Sequence, residues 1–125
     1  MSRVSVIIPA YDHAQFIGAA IDSVLAQTYR NYEIIVVNDG SPDDTEEVLR
    51  PYLERGQIRY FWQENQGAAA ARNLGIKMAE GELLAFLDDD DQWLPDKLEW
   101  QVPCLEESDA LMAVGTSLLQ GASDM

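Results

Sequence analysis

Basic residues are scarce in this chain of 125 residues, which has eight Lys and Arg against 22 Asp and Glu and a formal net charge of −14. Domains that bind nucleic acid carry a basic surface, so this balance excludes that class of partner. It argues equally against a peripheral anchor on anionic lipid. A phosphorylated ligand would need a cation or local basic residues to bind here.

Cysteine is also nearly absent. Cys104 is the only one, so an intrachain disulfide is impossible and the composition fits a reducing compartment. The segment Met1–Val4 leads into a strand pattern without the apolar region of a signal peptide. No apolar run approaches the length that spans a membrane. We therefore expect a cytoplasmic location, with membrane association left open for a longer natural protein.

Apolar runs of strand length alternate with segments of helical spacing along the whole chain. The predicted strands are Val4–Ile8, Glu33–Val37, Ile58–Trp62, Leu83–Leu87 and Ala110–Val114. The predicted helices cover about 14–26, Ser41–Gly56, Ala68–Ala79 and a segment beginning at Pro95. In the second of these, Ser41 is the expected N-cap, Pro42 is the first helical residue, and Pro51 should kink or break the helix. This order predicts a single α/β domain, residues 1–125, with a mostly parallel sheet and helices on both faces. The tail, 115–125, receives no assignment.

The two common phosphate-binding loops are missing. The first strand exits through Pro9-Ala10-Tyr11-Asp12, whereas a dinucleotide-binding dehydrogenase would carry G-x-G-x-x-G there, and no P-loop occurs. Tyr11 could stack on a base or sugar, or could pack on the next helix. The fold is thus of a nucleotide-binding type without its usual fingerprints.

Four consecutive aspartates, Asp88–Asp91, follow the apolar run Leu83–Leu87. Open α/β sheets bind their ligands at the carboxyl ends of their strands. Carboxylates crowded at such a place repel one another, and a hard divalent cation would offset the repulsion. The run predicts Mg²⁺ or Mn²⁺ held between the protein and a diphosphate, and the alternative is a solvated acidic loop.

Two further strand exits carry candidate side chains. Asp39 could accept hydrogen bonds from a ribose or a base N–H, or could only order its turn. Arg72 could grip a diphosphate, form a salt bridge to the aspartates, or do both. The lone His13 is interpreted as a loop or helix-start residue, and Trp93 with Leu94 as a lid packed over the core.

Together these segments resemble the family 2 glycosyltransferases. The resemblance rests on four segments that cover the chain to about Val114: Val4–Tyr11, Val36–Ser41, Ala70–Asn73 and Phe86–Trp93. It implies a glycosyltransferase A-type fold, present in truncated form, that binds a nucleotide-activated sugar, usually a UDP-sugar.

The resemblance also implies roles for individual residues. Pro9, Ala10 and Tyr11 would line the nucleoside pocket, Asp39 would contact the base, and Arg72 would lie near the diphosphate. In the acidic run, Asp90 is the first metal ligand, Asp88 contacts the ribose or a metal-bound water, Asp89 lies at the donor, and Asp91 assists with the metal. Asp12 stands where the family often has Asn, which adds a negative charge near the donor.

The implied reaction is an inverting sugar transfer to an acceptor hydroxyl. Its general base and acceptor site are expected beyond Met125, so the catalytic base and the acceptor stay unknown. A non-catalytic nucleotide-binding or assembly module, which could self-associate as a homo-oligomer, is the alternative. A sugar nucleotidyltransferase would need a glycine-rich basic loop after the first strand, which is missing.

Overall fold

The computed structural model describes residues 2–108 and 117–119. Within these residues, strands and helices alternate along the chain. The strands are β1 (Val4–Ala10), β2 (Tyr32–Asp39), β3 (Arg59–Gln63), β4 (Leu83–Phe86) and β5 (Ser117–Leu119). The helices are α1 (Ala14–Leu25), α2 (Thr45–Glu54), α3 (Ala68–Met78) and α4 (Lys97–Ser108). The predicted order of elements is therefore confirmed from β1 to α4.

The strands form one sheet in the order β3-β2-β1-β4-β5. The pairs β1–β2, β2–β3 and β1–β4 are parallel, as predicted, but β5 is antiparallel to β4. The predicted strand Ala110–Val114 lies outside the described residues, and β5 falls in the tail that received no assignment. The strands β2 and β3 are added on one side of β1, and β4 is added on the other side. The direction of winding therefore reverses beside β1. A ligand crevice opens at such a point, at the carboxyl ends of the strands.

Helices cover both faces of the sheet, as predicted. Side chains alternate across a strand, so Val6 and Ile8 of β1 pack with α1, α2 and α4, while Ile7 packs with α3. The approach of α3 is close, because a Cβ built on Gly75 would lie 2.4 Å from Ile7 Cγ2. Both faces of the central strands are therefore buried, which explains their continuous apolar sequence.

The start of α2 differs from its prediction. Ser41 and Pro42 were expected to cap and open this helix, but the helix begins at Thr45. Asp44 occupies the N-cap position without a side-chain cap, and the preceding Asp43 carboxylate accepts hydrogen bonds from the Thr45 amide at 3.2 Å and from the Ala14 amide at 3.0 Å. The side chain of Asp43 thus ties the starts of α1 and α2 together.

Two proline predictions also need correction. Pro51 does not split α2, which runs from Thr45 to Glu54 with the proline inside it. Pro95 precedes α4, which begins at Lys97. Among the described residues, the helices are too short and too polar to cross a membrane.

Candidate functional site

A cavity of about 500 Å³ opens at the carboxyl edge of the sheet, where β1, β2 and β4 end. Its lining consists of Pro9, Ala10, Tyr11, His13, Asp39, Asn65, Gly67, Ala68, Arg72, Asp88, Asp89 and Asp90. Parallel strands deliver these side chains from distant parts of the sequence to one place. We call this space the donor cavity, after the sugar donor that the sequence resemblance implies.

The exit of β1 is bent by a residue in a left-handed conformation. Asp12 has φ of 57°, which Asn and Asp tolerate better than other residues with a Cβ. Its amide donates a hydrogen bond to Ser41 Oγ at 2.8 Å, so the loops after β1 and β2 are joined. This backbone requirement gives Asp12 a structural reason to stand where Asn is common.

Asp39 is the centre of a hydrogen-bond cluster at the end of β2. Its carboxylate accepts hydrogen bonds from Gln63 Nε2 at 2.7 Å, Asn65 Nδ2 at 3.2 Å, the Gln66 amide at 2.8 Å and the Gly67 amide at 2.9 Å. The residue is only 3% exposed. These donors fasten the loop between β3 and α3 to the end of β2, so Asp39 orders more than its own turn.

Glycine is required next to Asp39. Gly40 has φ of 63°, and a Cβ on it would lie 2.7 Å from the Asn65 amide nitrogen. The loop can therefore pack on β2 only because residue 40 has no side chain. The turn Asn38–Ser41 is shaped by this contact.

The aspartates of the acidic run point in different directions. The side chains of Asp88 and Asp90 are 64% and 51% exposed, whereas that of Asp89 is 9% exposed. Asp89 turns inward, where Oδ2 accepts a hydrogen bond from the Tyr11 amide at 2.9 Å and Oδ1 lies 2.8 Å from His13 Nδ1. One carboxylate of the run is therefore used within the protein, and two face the cavity.

The His13–Asp89 contact changes the ionisation of both groups. Burial raises the pKa of Asp89, although hydrogen bonds from the Tyr11 amide and His13 act in the opposite direction. The hydrogen bond to Asp89 raises the pKa of His13 above its ordinary value, despite desolvation. Asp90 adds to this effect, since its Oδ2 lies 3.9 Å from His13 Nε2.

Arg72 brings positive charge to the donor cavity from the first half of α3. Its Nη2 lies 3.8 Å from Asp88 Oδ1, which confirms the predicted salt bridge to the acidic run. Half-exposed ion pairs of this length are weak and can open to admit an anion. The guanidinium can therefore face both the acidic run and a ligand in the cavity.

Most predicted site residues meet in the donor cavity, but two do not line it. Asp12 is exposed beside the cavity, and Asp91 lines a neighbouring cavity of about 550 Å³ together with Asp88. The sequence interpretation missed His13 and Asn65, which both line the donor cavity. No sequence signal places His13 opposite Asp89, because the two are 76 positions apart.

The neighbouring cavity contains the aromatic residues after the acidic run. Trp93 packs partly against the core, as predicted, but Leu94 is 75% exposed and forms no lid. Lys97 Nζ lies 5.1 Å from the centroid of the Trp93 ring, and burial lowers the pKa of Lys97 to about 8.

The donor cavity fits a divalent cation that a ligand helps to hold. Within residues 2–108 and 117–119, no group of three or more His, Cys, Asp or Glu side chains is placed to hold a metal. Asp88 and Asp90 nevertheless face one cavity, and Mg²⁺-type sites commonly use one or two carboxylates with phosphate oxygens and water. The residues present therefore suit a cation bound together with a phosphorylated ligand.

The fold is shared with solved glycosyltransferases of the A-type fold. One match is a Staphylococcus aureus TarS structure (residues 1–349) in complex with UDP-GlcNAc, with 26% sequence identity and a TM-score of 0.79. The match covers 92% of this chain and 37% of the TarS chain. The mannosyltransferase PcManGT from Pyrobaculum calidifontis, in complex with GDP-Man and Mn²⁺, matches 87% of this chain and 34% of its own, with 29% identity and a TM-score of 0.77.

Curated relatives agree with this likeness. An uncharacterized glycosyltransferase of Rickettsia felis is 46% identical over 112 residues, which are 90% of this chain and 19% of the relative. The chain thus spans about a fifth of that protein's length. The family described as "Glycosyl transferase family 2" matches residues 5–123. This family match covers most of the chain and the fold agrees with it, so the chain belongs to glycosyl transferase family 2.

Proposed function

We propose that this chain is the donor-binding part of an inverting glycosyltransferase and holds a nucleotide-activated sugar, a UDP-sugar, with Mn²⁺ or Mg²⁺. The observation that supports this most is the convergence of Tyr11, Arg72 and Asp90 on one cavity. Its volume of about 500 Å³ lies within the usual range for small-molecule sites. Relatives that bind UDP-GlcNAc and GDP-Man share the fold.

The nucleoside would lie against the exit of β1. Tyr11 is 44% exposed and offers a ring face for stacking, beside Pro9 and Ala10. Asp39 would accept the N–H of the base. Since four donors already surround this carboxylate, the base would replace the longest of those bonds, from Asn65 Nδ2 at 3.2 Å.

The diphosphate would lie between Arg72 and the acidic run. Asp90 would hold the cation, Asp88 would contact the ribose or a cation-bound water, Asp89 would fix the loop, and Asp91 would assist from the neighbouring cavity. A bound cation supplies positive charge to the departing diphosphate. Arg72 would stabilise the same charge from the other side.

In the transfer itself, the acceptor hydroxyl oxygen would bond to the anomeric carbon as the bond from that carbon to the diphosphate oxygen breaks. A base must take the hydroxyl proton. We place that base and the acceptor site in a further part of a longer protein, because the chain covers only 19% of the Rickettsia felis relative. Residues 1–125 alone should therefore bind donor weakly and transfer no radiolabelled sugar.

Calorimetric titration of UDP, with and without Mn²⁺, tests donor binding. We expect binding that requires Mn²⁺ and that Asp90→Ala weakens by roughly a hundredfold or more, as for the loss of metal-site groups. Glu54→Ala is the matched control, since Glu54 is an exposed acid on α2 outside the donor cavity. Binding that ignores Mn²⁺ and Asp90→Ala, or no binding at all, would contradict the proposal.

A further inference from the structure

The imidazole of His13 lies between two carboxylates of the acidic run. Its Nδ1 is 2.8 Å from Asp89 Oδ1, and its Nε2 is 3.9 Å from Asp90 Oδ2. The ring also contacts Phe16, with centroids 5.9 Å apart. The imidazole therefore has a defined position at the wall of the donor cavity.

The two carboxylates differ in how far they are already engaged in contacts within the protein. Asp89 is buried and already accepts the Tyr11 amide at 2.9 Å, so it is fixed within the protein. A neutral imidazole that donates its Nδ1 proton to Asp89 keeps a lone pair on Nε2. A carboxylate that orients a histidine in this way is the usual support of a histidine bound to a metal.

The separation of Nε2 and Asp90 Oδ2 suits two ligands of one cation. Metal–ligand bonds of about 2.1 Å place neighbouring ligand atoms roughly 3 Å apart and opposite ones roughly 4 Å apart. The observed 3.9 Å exceeds the separation of adjacent ligands by about 1 Å, so the two side chains must approach each other to share a cation. Since the Asp90 side chain is half exposed, a small rotation can adjust the distance.

We propose that His13 Nε2 and Asp90 are joint protein ligands of the divalent cation, and that Asp89 is the positioning residue that orients the imidazole. This inference rests on the proposed function, because the remaining coordination positions would be filled by diphosphate oxygens and water. It assigns His13 a binding role in place of the loop role that its sequence context suggested. A nitrogen ligand also favours a transition metal such as Mn²⁺ over Mg²⁺.

The chain offers a direct spectroscopic test. His13 is its only histidine, so any imidazole nitrogen coupled to Mn²⁺ in the tag-free protein must come from this residue. The probe is Mn²⁺ with inorganic pyrophosphate, which contains no nitrogen, at a pH well above the ordinary pKa of histidine, because the hydrogen bond to Asp89 raises the pKa of His13. Electron spin echo envelope modulation should show ¹⁴N coupling in the unaltered protein.

Variants separate ligation from structural support. In H13Q we expect the ¹⁴N signal to vanish and the affinity for Mn²⁺ to fall by about tenfold or more, while D89N should weaken Mn²⁺ binding by roughly tenfold. The affinity for Mg²⁺ should fall less in H13Q than that for Mn²⁺. As the matched control, Q15H in the H13Q background adds a histidine at an exposed neighbouring position and should not restore the coupling.

Measurements on the unaltered protein and on H13Q can each overturn the inference. Mn²⁺ bound with pyrophosphate but without ¹⁴N coupling would refute His13 ligation and leave the proposed donor site standing. An unchanged Mn²⁺ affinity in H13Q would do the same. No Mn²⁺ binding in the presence of either pyrophosphate or UDP would overturn this inference and the proposed function together.

Discussion

Glu33 at the amino edge of the sheet and Asp90 at its carboxyl edge differ in how far their surroundings balance the negative charge. At the amino edge, Glu33 is buried and lies 2.9 Å from Arg59 Nη1 and 3.9 Å from Arg3 Nη2. At the carboxyl edge, Asp90 is half exposed and faces His13 at 3.9 Å. A carboxylate whose charge is balanced by arginines and hydrogen bonds stabilises the fold, whereas a carboxylate with few partners can bind a cation.

Glu33 shows what full compensation requires. Its Oε2 accepts hydrogen bonds from Ser5 Oγ at 2.6 Å and the Glu80 amide at 2.7 Å, beside the arginine contacts to Oε1. Burial acts to raise the pKa of Glu33, but the hydrogen bonds from Ser5, Glu80 and Arg59 outweigh it and lower the pKa. Glu33 therefore stays ionised inside the protein and joins β2 to the starts of β1 and β4.

The largest loss of stability is expected from removing the arginine that balances the charge of the buried Glu33. Arg59→Met would leave Glu33 buried with Arg3 as the remaining cation. Removing one partner of a buried pair costs about 3–5 kcal/mol, and partial exposure of Arg59 reduces this to about 2 kcal/mol. Chemical denaturation measures the change in the free energy of unfolding.

The control for this variant is Arg50→Met, since Arg50 and Glu47 form an exposed pair at 3.6 Å on α2. Its cost should stay below about 0.5 kcal/mol. Equal costs for the two variants would mean that the buried Arg59–Glu33 pair contributes no more to the free energy of unfolding than the exposed Arg50–Glu47 pair.

An intermediate effect is expected from Asp43, which is compensated by neutral donors. Desolvation acts to raise its pKa, but hydrogen bonds from Ser41, Thr45 and the Ala14 amide lower it to about 2 from 3.8. Because the folded-state pKa is lowered, its contribution is present above the unfolded value and is lost as the pH falls from about 4 to about 2. After allowance for solvent screening, this loss is about 1 kcal/mol.

Denaturation at several pH values checks the contribution of Asp43. Asp43→Asn should reduce the loss of stability between about pH 4 and pH 2, and Asp44→Asn, at the exposed neighbour, should not. Parallel pH profiles for Asp43→Asn and the unaltered protein would exclude a role for this carboxylate in joining α1 and α2.

The smallest effect is expected at the acidic run without metal. The Asp90 side chain is half exposed, so Asp90→Asn should change the free energy of unfolding by no more than about 0.5 kcal/mol. Mn²⁺ and UDP at a hundred times their dissociation constant should stabilise the unaltered protein by about 2.7 kcal/mol. Thermal unfolding should show little of this stabilisation in Asp90→Asn, and equal stabilisation of both proteins would place the cation elsewhere.

Much of this fold could be predicted because its determinants are local. The β-branched runs of β1 and β2 are buried on both faces, so their apolar sequences are continuous and easily recognised. The residues that follow the strands also indicate the site, since Asp39 and Asp88–Asp91 come at the ends of apolar runs. The rule that parallel strands bind ligands at their carboxyl ends then predicts that these residues lie close together, and all except Asp91 line the donor cavity.

The parts that escaped prediction depend on contacts between distant segments. Four adjacent aspartates look alike in sequence, and only the positions of Tyr11 and His13 turn Asp89 inward. Glu33 seemed an ordinary first residue of a strand, because the arginine that neutralises it lies on β3. Similarly, the cap of α2 was misassigned since Ser41 is used by Asp12 and Asp43.

The hydrogen bonds around Asp39 have a consequence for the kinetics and entropy of ligand capture. Segment 63–67 is anchored to β2 before any ligand arrives, by two side-chain amides and two backbone amides. A loop that is already ordered does not lose conformational freedom when it contacts a ligand, so more of the contact energy remains as affinity. This wall of the donor cavity therefore forms when the chain folds, and the proposed nucleotide ligand would dock against it without loop closure.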